Sequence, residues 1–232
     1  MERLIGDDVL ERSSVVANRA MNRERRLSGR DGYSRVLGVD VPGLLSGSAR
    51  WLDLCCGSGK ALFEAAELVP SAEITGVDLV DYFAGPVPES VTLEVGAVTS
   101  WEPTGKFDLI TCVHGLHYVG DKLAVLGRVA SWLRDDGLFV ANFDAASVFA
   151  SGVPAGRRLT AALRQAGFAY DGRNRRIQRR GHGVVELPFR YLGADEQAGP
   201  NYTGQPAVHS HYAPVEVKGA SLTNLPYRDE KM

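Results

Sequence analysis

Short, almost fully apolar segments alternate with amphipathic segments through the middle of the chain. The apolar ones have the length of buried strands, and the amphipathic ones carry apolar residues at helical spacing. Strands are predicted at 50–55, 72–79, 91–95, 107–113 and 138–143, and helices at 61–68 and 122–133. Because strands buried on both faces are near-continuous apolar runs, this alternation indicates an α/β fold with a mostly parallel sheet and helices on both faces.

The two ends of the chain have a different pattern. On the N-terminal side, residues 8–27 predict a helix of mixed polarity, residues 28–32 a turn and residues 33–39 a short helix, followed by a loop. On the C-terminal side, residues 155–166 predict a helix. Residues 173–180 and 184–193 are β-like and flank Gly181-His182-Gly183, so we expect an antiparallel hairpin at the sheet edge. From Ala194 onward polar residues, Gly and Pro dominate, and residues after about 214 are expected to form a mobile tail.

A glycine-rich turn carries the strongest chemical signal. It follows the first strand in Asp53-Leu54-Cys55-Cys56-Gly57-Ser58-Gly59 and precedes a helix. Gly57 and Gly59 have no Cβ, so a ligand can lie against the backbone there. A dinucleotide site needs GxGxxG at such a turn, but the third glycine position here is Leu62.

Asp78, at the end of the second strand, can accept hydrogen bonds from both hydroxyls of a ribose. Such a carboxylate serves NAD and S-adenosylmethionine (SAM) sites equally. Asp53 has no role in a dinucleotide site but can attract an ammonium group. The two aspartates, together with the missing third glycine, favour SAM over NAD.

These segments resemble the class I SAM-dependent methyltransferases, between about residues 50 and 143. The glycine turn matches the family's D/E-x-G-x-G-x-G, with Cys55 in place of the first glycine, and Asp78 matches its second-strand acid. Residues 107–110 (FDLI), 116–121 (LHYVGD) and 133–138 (LRDDGL) are similar to further family motifs. The resemblance implies a Rossmann-like, seven-stranded sheet and a SAM cofactor.

Several cofactor contacts follow from that resemblance, residue by residue. The expected SAM-binding residues are Tyr33, Asp53, Cys55, Gly57, Gly59, Asp78, Leu79, Ala97, Val98 and Val113. Many members carry an acid after strand three that meets the adenine amino group. This chain has Gly96-Ala97-Val98-Thr99 there, so only backbone contacts to adenine are expected.

The resemblance also suggests a division of the chain. Small-molecule members often cover the SAM site with N-terminal helices, so residues 1–48 are interpreted as a helical lid. Within it, the basic segment 18–26 is a lid candidate and Tyr33 a candidate for the methionine carboxylate, although both also suit a solvated surface. Residues 49–193 are the SAM-binding domain, and residues 194–232 an irregular C-terminal segment.

Histidines supply the candidate catalytic groups. His114 and His117 follow the fourth strand, at the carboxyl edge where open α/β sheets bind ligands. His114 is the first candidate to face the acceptor as a base, whereas His117 also suits a structural role. Methyl transfer is an in-line displacement, so a base is needed only if the acceptor must lose a proton. Tyr202 and His209 are candidate acceptor-binding residues in the C-terminal segment, which could equally be irregular surface.

Composition and charge narrow the partners. The 232 residues are 44% hydrophobic and 23% charged, as in ordinary globular domains. A net charge of −2 does not favour nucleic acid, and no run approaches the length of a membrane span. Three cysteines without zinc-ligand spacing predict no metal site and a reduced, cytoplasmic protein.

The predicted function is SAM-dependent methylation of a small molecule or modified peptide by a monomer or homodimer. By analogy with compact, lidded members of the family, bacterial secondary metabolism is the expected context. The alternatives are a SAM-fold binding or regulatory protein that transfers no methyl group, a nicotinamide-dependent oxidoreductase, and a SAM-fold catalyst that transfers another group.

Overall fold

The computed structural model describes residues 4–17 and 24–215. In chain order its strands are β1 (Arg50–Leu54), β2 (Glu73–Asp78), β3 (Val91–Val95), β4 (Phe107–Cys112), β5 (Leu133–Asn142), β6 (Val148–Ala150), β7 (Val153–Pro154), β8 (Phe168–Asp171), β9 (Arg176–Arg180), β10 (Phe189–Asp195) and β11 (His209–Pro214). The helices are α1 (Asp7–Leu10), α2 (Tyr33–Leu37), α3 (Val41–Leu44), α4 (Lys60–Leu68), α5 (Lys122–Trp132) and α6 (Gly156–Gln165). Short 3₁₀ helices lie at Gly115–Tyr118 and Ala145–Ser147.

The central sheet has seven strands in the order β3-β2-β1-β4-β5-β9-β8. Strands β1 to β5 pair in parallel, β9 pairs antiparallel with β5, and the edge strand β8 pairs antiparallel with β9. Strand β1 lies between β2 and β4, so the chain order proceeds from β1 toward one edge of the sheet through β2 and β3 and toward the other edge through β4 and β5. In open α/β sheets ligands bind outside the carboxyl ends of the strands at such a point. The predicted fold class is confirmed, including the antiparallel edge hairpin.

Side chains that alternate along β1 fill two separate cores, one on each face of the sheet. Trp51 packs in a cluster with residues of α2, α3 and α4, while Leu52 and Leu54 pack in a cluster with α5 and α6. This alternation is the period-2 geometry of a strand. Since β1 is buried on both faces, its carboxyl end is held rigidly, and that end carries the glycine turn.

The hairpin forms from other residues than the sequence predicted. Strand β9 pairs with β8, not with 184–193, and the turn lies at 172–175 instead of 181–183. Asp171 makes this turn, because its Oδ1 accepts the backbone N–H groups of Arg173 and Asn174 at 3.0 Å each. The Gly181 and Gly183 N–H groups donate instead to the carbonyls of Gly137 and Ala130, which fixes 181–183 as a connection along the sheet.

Two further sequence predictions are wrong in their extent. A single helix does not span the described part of 8–27: α1 ends at Leu10 and is followed by turns. The Leu27 N–H donates to the side chain of Glu64 instead of to a helical carbonyl. Residues 133–137, predicted as a helix end and turn, are the start of β5, which pairs with β4 through a register shift between Phe107 and Leu109.

Part of the C-terminal segment that was predicted to be irregular belongs to a second sheet. Its order is β10-β11-β6-β7, and β11 lies within the segment predicted to be irregular. Near the N-terminus, Ile5 makes an isolated antiparallel bridge to Ala194, so the start of the described chain joins this sheet edge. Residues 18–23 of the predicted lid segment 18–26 lie outside the described residues. The predicted tail lies outside them from position 216 onward.

Candidate active site

The glycine turn and the end of β2 are joined by a direct hydrogen bond. The Gly57 N–H donates to Asp78 Oδ2 at 2.9 Å, and the Val80 N–H donates to Asp78 Oδ1 at 3.1 Å. Gly57 has a φ of 60°, in the left-handed region that favours glycine. Asp78 is 5% exposed. A buried carboxylate is thereby aimed at the bend by backbone donors before any ligand arrives.

A cleft with about 800 Å³ of empty volume opens at this edge of the sheet. What we call its glycine part consists of residues from the ends of β1, β2 and β4, namely Cys55, Gly57, Asp78, Leu79 and Val113. Its histidine part consists of His114, Tyr118, Thr203 and Gln205. Val16, Arg25, Tyr33, Cys56 and Gly115 complete the lining. Because Gly57 has no side chain and lies beside a fixed carboxylate, the bend can hold a nucleoside with its ribose hydroxyls toward Asp78.

Asp53 lies behind the cleft in a buried polar network. Its Oδ2 accepts from the Tyr33 hydroxyl at 2.7 Å and its Oδ1 from the Thr111 hydroxyl, to which the Trp51 indole N–H donates at 2.8 Å. Burial raises the pKa of Asp53 to about 7, although the bonds from Thr111 and Tyr33 act to lower it. Asp53 therefore titrates near neutrality and is separated from the cleft by its own partners.

His114 and His117 lie beside each other at the histidine part. The distance from His114 Nδ1 to His117 Nε2 is 3.5 Å, and the ring of Tyr202 lies 5.3 Å from that of His117 and 6.3 Å from that of His114, centroid to centroid. The guanidinium of Arg175 lies over the ring of Tyr202, 4.0 Å from the ring centroid.

Both histidines are electrically neutral at pH 7. Burial lowers the pKa of His114 to about 4, with a further decrease from Arg25, and lowers the pKa of His117 to about 3. His114 also has a φ of 58°, and its N–H is fixed by a 3.1 Å bond to the side-chain oxygen of Asn142. The backbone at His114 is thus strained, and its neutral imidazole at the cleft can accept a hydrogen bond or act as a weak base.

The remaining site candidates lie outside the cleft lining. Gly59, with a φ of 77°, precedes the first residue of α4. The Ala97 carbonyl accepts the N–H of Trp101, Val98 is buried, and Thr99 donates to Glu11 at 2.7 Å. The ring of His209 lies 4.8 Å from that of Phe149 on the second sheet.

Several lining residues gave no usable signal in the sequence. Thr203 and Gln205 lie in a polar, Gly- and Pro-containing stretch without periodicity, and Tyr118 is one position past the histidine already chosen. Arg25 belonged to a basic run that suited a solvated surface equally well. Among the described residues, no group of three or more His, Cys, Asp or Glu side chains is arranged to hold a metal ion.

A family profile described as a methyltransferase domain matches residues 21–179, which is more than half of the chain. The chain belongs to the methyltransferase-domain family. S-adenosylmethionine is its cofactor. No helix in the described ranges is long and apolar enough to cross a membrane.

Two curated methyltransferases match part of this chain. The (S)-coclaurine N-methyltransferase of Papaver somniferum is 28% identical over 95 residues, which cover 38% of this chain and 27% of the relative. The ubiquinone biosynthesis O-methyltransferase of Bordetella bronchiseptica is 30% identical over 116 residues, which cover 42% of this chain and 43% of the relative. The match thus spans less than half the length of either relative.

Solved structures with a similar fold include two methyltransferases in complex with SAH (S-adenosylhomocysteine, the demethylated cofactor). Coclaurine N-methyltransferase with N-methylheliamine and SAH gives a TM-score of 0.39 at 18% identity, covering 47% of this chain and 32% of that chain. The plantazolicin methyltransferase bound to a pentazolic desmethyl analogue and SAH gives 0.38 at 16% identity, covering 40% and 38%.

Proposed function

We propose that this protein transfers the methyl group of SAM to a small molecule or a modified peptide, in bacterial secondary metabolism. The observation that carries the proposal is the bond between the Gly57 N–H and Asp78 at the cleft, because a buried carboxylate beside a glycine bend suits the hydroxyls of a ribose. The two curated relatives are named as an N-methyltransferase and an O-methyltransferase. Both names suit a small-molecule acceptor.

Each part of the cleft has a role in the proposed transfer. When bound, SAM supplies an activated methyl group on its sulfonium. Asp78 and Gly57 bind and orient the nucleoside, while Leu79 and Val113 exclude water from it. His114, which is neutral, accepts the acceptor's proton or a hydrogen bond from it. Thr203 and Gln205 contact both the bound cofactor and the polar groups of the acceptor beside Tyr202.

The absence of disulfides among the described cysteines suits a cytoplasmic location, which we propose as well. Cys55, Cys56 and Cys112 form no disulfide bond. Disulfides are rare where glutathione and thioredoxin keep thiols reduced. Addition of a reductant is therefore expected to leave the melting temperature unchanged, and a decrease would contradict this location.

Calorimetric titration with SAH tests the cofactor assignment. The Asp78→Ala variant is expected to lose about 1.5–3 kcal/mol of binding free energy, because hydrogen bonds to a charged group are lost. That corresponds to roughly 10- to 100-fold in Kd. Asp81→Ala, which alters an exposed carboxylate three positions away, is the matched control and should bind SAH as the wild type does. Equal affinity of both variants would contradict the ribose assignment.

Titration with NAD and labelling with methyl-tritiated SAM separate the alternatives. The proposal predicts SAH binding, no NAD binding, and transfer of tritium to an acceptor in a pool of small molecules and peptides. Binding of NAD without SAH would establish an oxidoreductase. SAH binding with no transfer to any fraction would favour a binding or regulatory protein.

A further inference from the structure

Lys122, the first residue of α5, is fully buried although it carries an ammonium group. Its relative exposure is 1%. The Nζ atom donates to the Val119 carbonyl at 2.9 Å, to the Val208 carbonyl at 2.8 Å and to Ser210 Oγ at 2.8 Å. An ammonium has three protons, so all of its donors are satisfied. Two of the three acceptors belong to the C-terminal segment.

The burial of this ammonium is energetically costly. Burial lowers the pKa of Lys122 to about 7, and the carboxylates of Asp7, Asp144 and Asp121 only partly oppose that decrease. Between described residues, no ion pair joins Nζ to a carboxylate. A well-packed apolar side chain of similar size often costs a protein less than a buried charge. The lysine is thus better explained by the segment that it holds than by stability alone.

Neighbouring residues of Lys122 bind the same C-terminal segment. The Leu123 N–H donates to the Tyr212 hydroxyl at 3.1 Å, and that hydroxyl donates to Asp121 Oδ1 at 3.0 Å. The Val208 N–H donates to the carbonyl of His117 at 2.9 Å. Consecutive residues at the start of α5 therefore hold the stretch from Val208 to Tyr212 against the central domain.

The loop that precedes this stretch, residues 199–207, reaches the cleft. It is closed on itself, because the Asn201 N–H donates to the Gln205 carbonyl at 2.7 Å and the Ala207 N–H to the Gly199 carbonyl at 3.2 Å. Its tip contributes Thr203 and Gln205 to the cleft lining. The loop thus has its own internal hydrogen bonds, and its attachment next to the cleft is at Val208, one of the acceptors of Lys122.

We propose that Lys122 is a positioning residue that holds the loop 199–207 at the histidine part of the cleft, where the loop closes the cleft over cofactor and acceptor. The inference rests on the proposed function, since it treats the cleft as the SAM site. Lys122 is 86 positions away in the chain from Val208, the carbonyl of which accepts its hydrogen bond. Lys122 itself touches neither ligand and acts through the loop.

Replacement of the ammonium by an apolar side chain tests the proposal. Lys122→Met keeps the length of the chain and removes the three hydrogen bonds. We expect about a 10-fold increase in the Kd of SAH in calorimetry. Hydrogen exchange should become faster in a peptide covering residues 199–208 and remain unchanged in peptides covering β1 and α4. Lys106→Met, at an exposed lysine before β4, is the matched control.

A double-mutant cycle distinguishes positioning from general destabilisation. In the Thr203→Gly/Gln205→Gly background the loop no longer presents side chains to the cleft, so Lys122→Met should weaken SAH binding no further. Leu163→Ala, on the buried face of α6, lowers stability away from the cleft and should leave the Kd of SAH unchanged. Additive effects in the cycle, or an equal loss of SAH affinity in Leu163→Ala, would overturn the proposal.

A milder variant and the wild type complete the test. If Lys122→Met does not fold, Ser210→Ala removes a single acceptor of Nζ and should raise the Kd of SAH about 3-fold; an unchanged Kd overturns the proposal. Failure of the wild type to bind SAH would refute the proposed function. Normal SAH binding by both the wild type and Lys122→Met would refute only the role of Lys122.

Discussion

The glycine and histidine parts of the cleft are built in different ways. In the glycine part, Gly57 and Asp78 lie at the ends of adjacent parallel strands, and a single backbone-to-carboxylate bond joins them. In the histidine part, His114 from the end of β4 is accompanied by Thr203 and Gln205 from a loop held by the second sheet and Lys122. The first part depends on strand order alone, whereas the second depends on contacts between distant segments.

This difference separates two kinds of perturbation. Changes in the buried network behind the glycine part should appear in the free energy of unfolding, since that network is satisfied without a ligand. In the histidine part, a change at His114 should appear in turnover, because its neutral imidazole lines the cleft, whereas displacement of the loop 199–207 should appear in the Kd of SAH. Variants at Asp53, His114, Tyr33 and Cys55 test that separation.

The largest effect is expected from Asp53 as pH rises. Its folded-state pKa of about 7 lies above its ordinary 3.8, so the folded state binds the extra proton between these values. Stability from this group is present at low pH and is lost as pH rises through 7. Relative to wild type, Asp53→Asn should gain about 3 kcal/mol in unfolding free energy between pH 4.5 and pH 8. Urea unfolding at both pH values measures the difference.

The variant has to be compared with the wild type because His114 and His117 change the stability in the opposite direction to Asp53 as pH rises. Their folded-state pKa values of about 4 and 3 lie below the ordinary 6.5, so they lower stability as pH falls below 6.5. This contribution is common to both proteins and cancels in the difference. Asp81→Asn, at an exposed site, should show no pH-dependent difference. A constant offset between Asp53→Asn and the wild type would show that Asp53 titrates normally.

His114→Ala should lower turnover by about 10- to 100-fold while the Kd of SAH changes by less than about 3-fold. The reason is that the proposed function assigns the imidazole to the acceptor and assigns Asp78 and Gly57 to the nucleoside. Initial rates of tritium transfer from SAM and calorimetry with SAH measure the two effects. His182→Ala, at an exposed histidine, is the control. Equal losses in rate and SAH affinity would remove the catalytic role of His114.

Tyr33→Phe should destabilise the protein by about 1.5 kcal/mol at pH 8, because the Asp53 carboxylate loses one of its donors. At pH 5 the effect should be smaller, since Asp53 is then protonated. Thermal or urea unfolding of variant and wild type at the two pH values provides the test. A loss that is the same at both pH values would mean that packing of the ring, not the bond to Asp53, determines the effect.

The smallest effect is expected at Cys55, which has a φ of 58° where the family pattern has glycine. A side chain in this left-handed conformation is strained, and the strain disappears in glycine. Cys55→Gly should be about 1 kcal/mol more stable than Cys55→Ala in urea unfolding, because both variants remove Sγ but only alanine keeps Cβ. An alanine variant as stable as the glycine variant would argue against strain at this bend.

The central domain was predictable in more detail than its flanks. Five strands and their alternating helices followed from apolar runs, which a parallel sheet covered on both faces requires. The edge hairpin was expected, but its strands were misassigned, because Gly181-His182-Gly183 has turn composition while the actual turn depends on Asp171 and its backbone partners. The glycine part of the cleft was largely named in advance, whereas Thr203, Gln205 and Lys122 were not.

The sequence alone determined the parallel α/β core, the glycine turn and the aspartate at the end of the second strand. These features depend on residues near one another in the chain or at equivalent ends of neighbouring strands. The tertiary structure alone decided that Tyr33 bonds to Asp53, that His114 and His117 are neutral, and that a buried lysine holds the loop 199–207. Hydrogen bonds and burial across such long separations leave no periodicity in the sequence, because the partners meet only after the chain has folded.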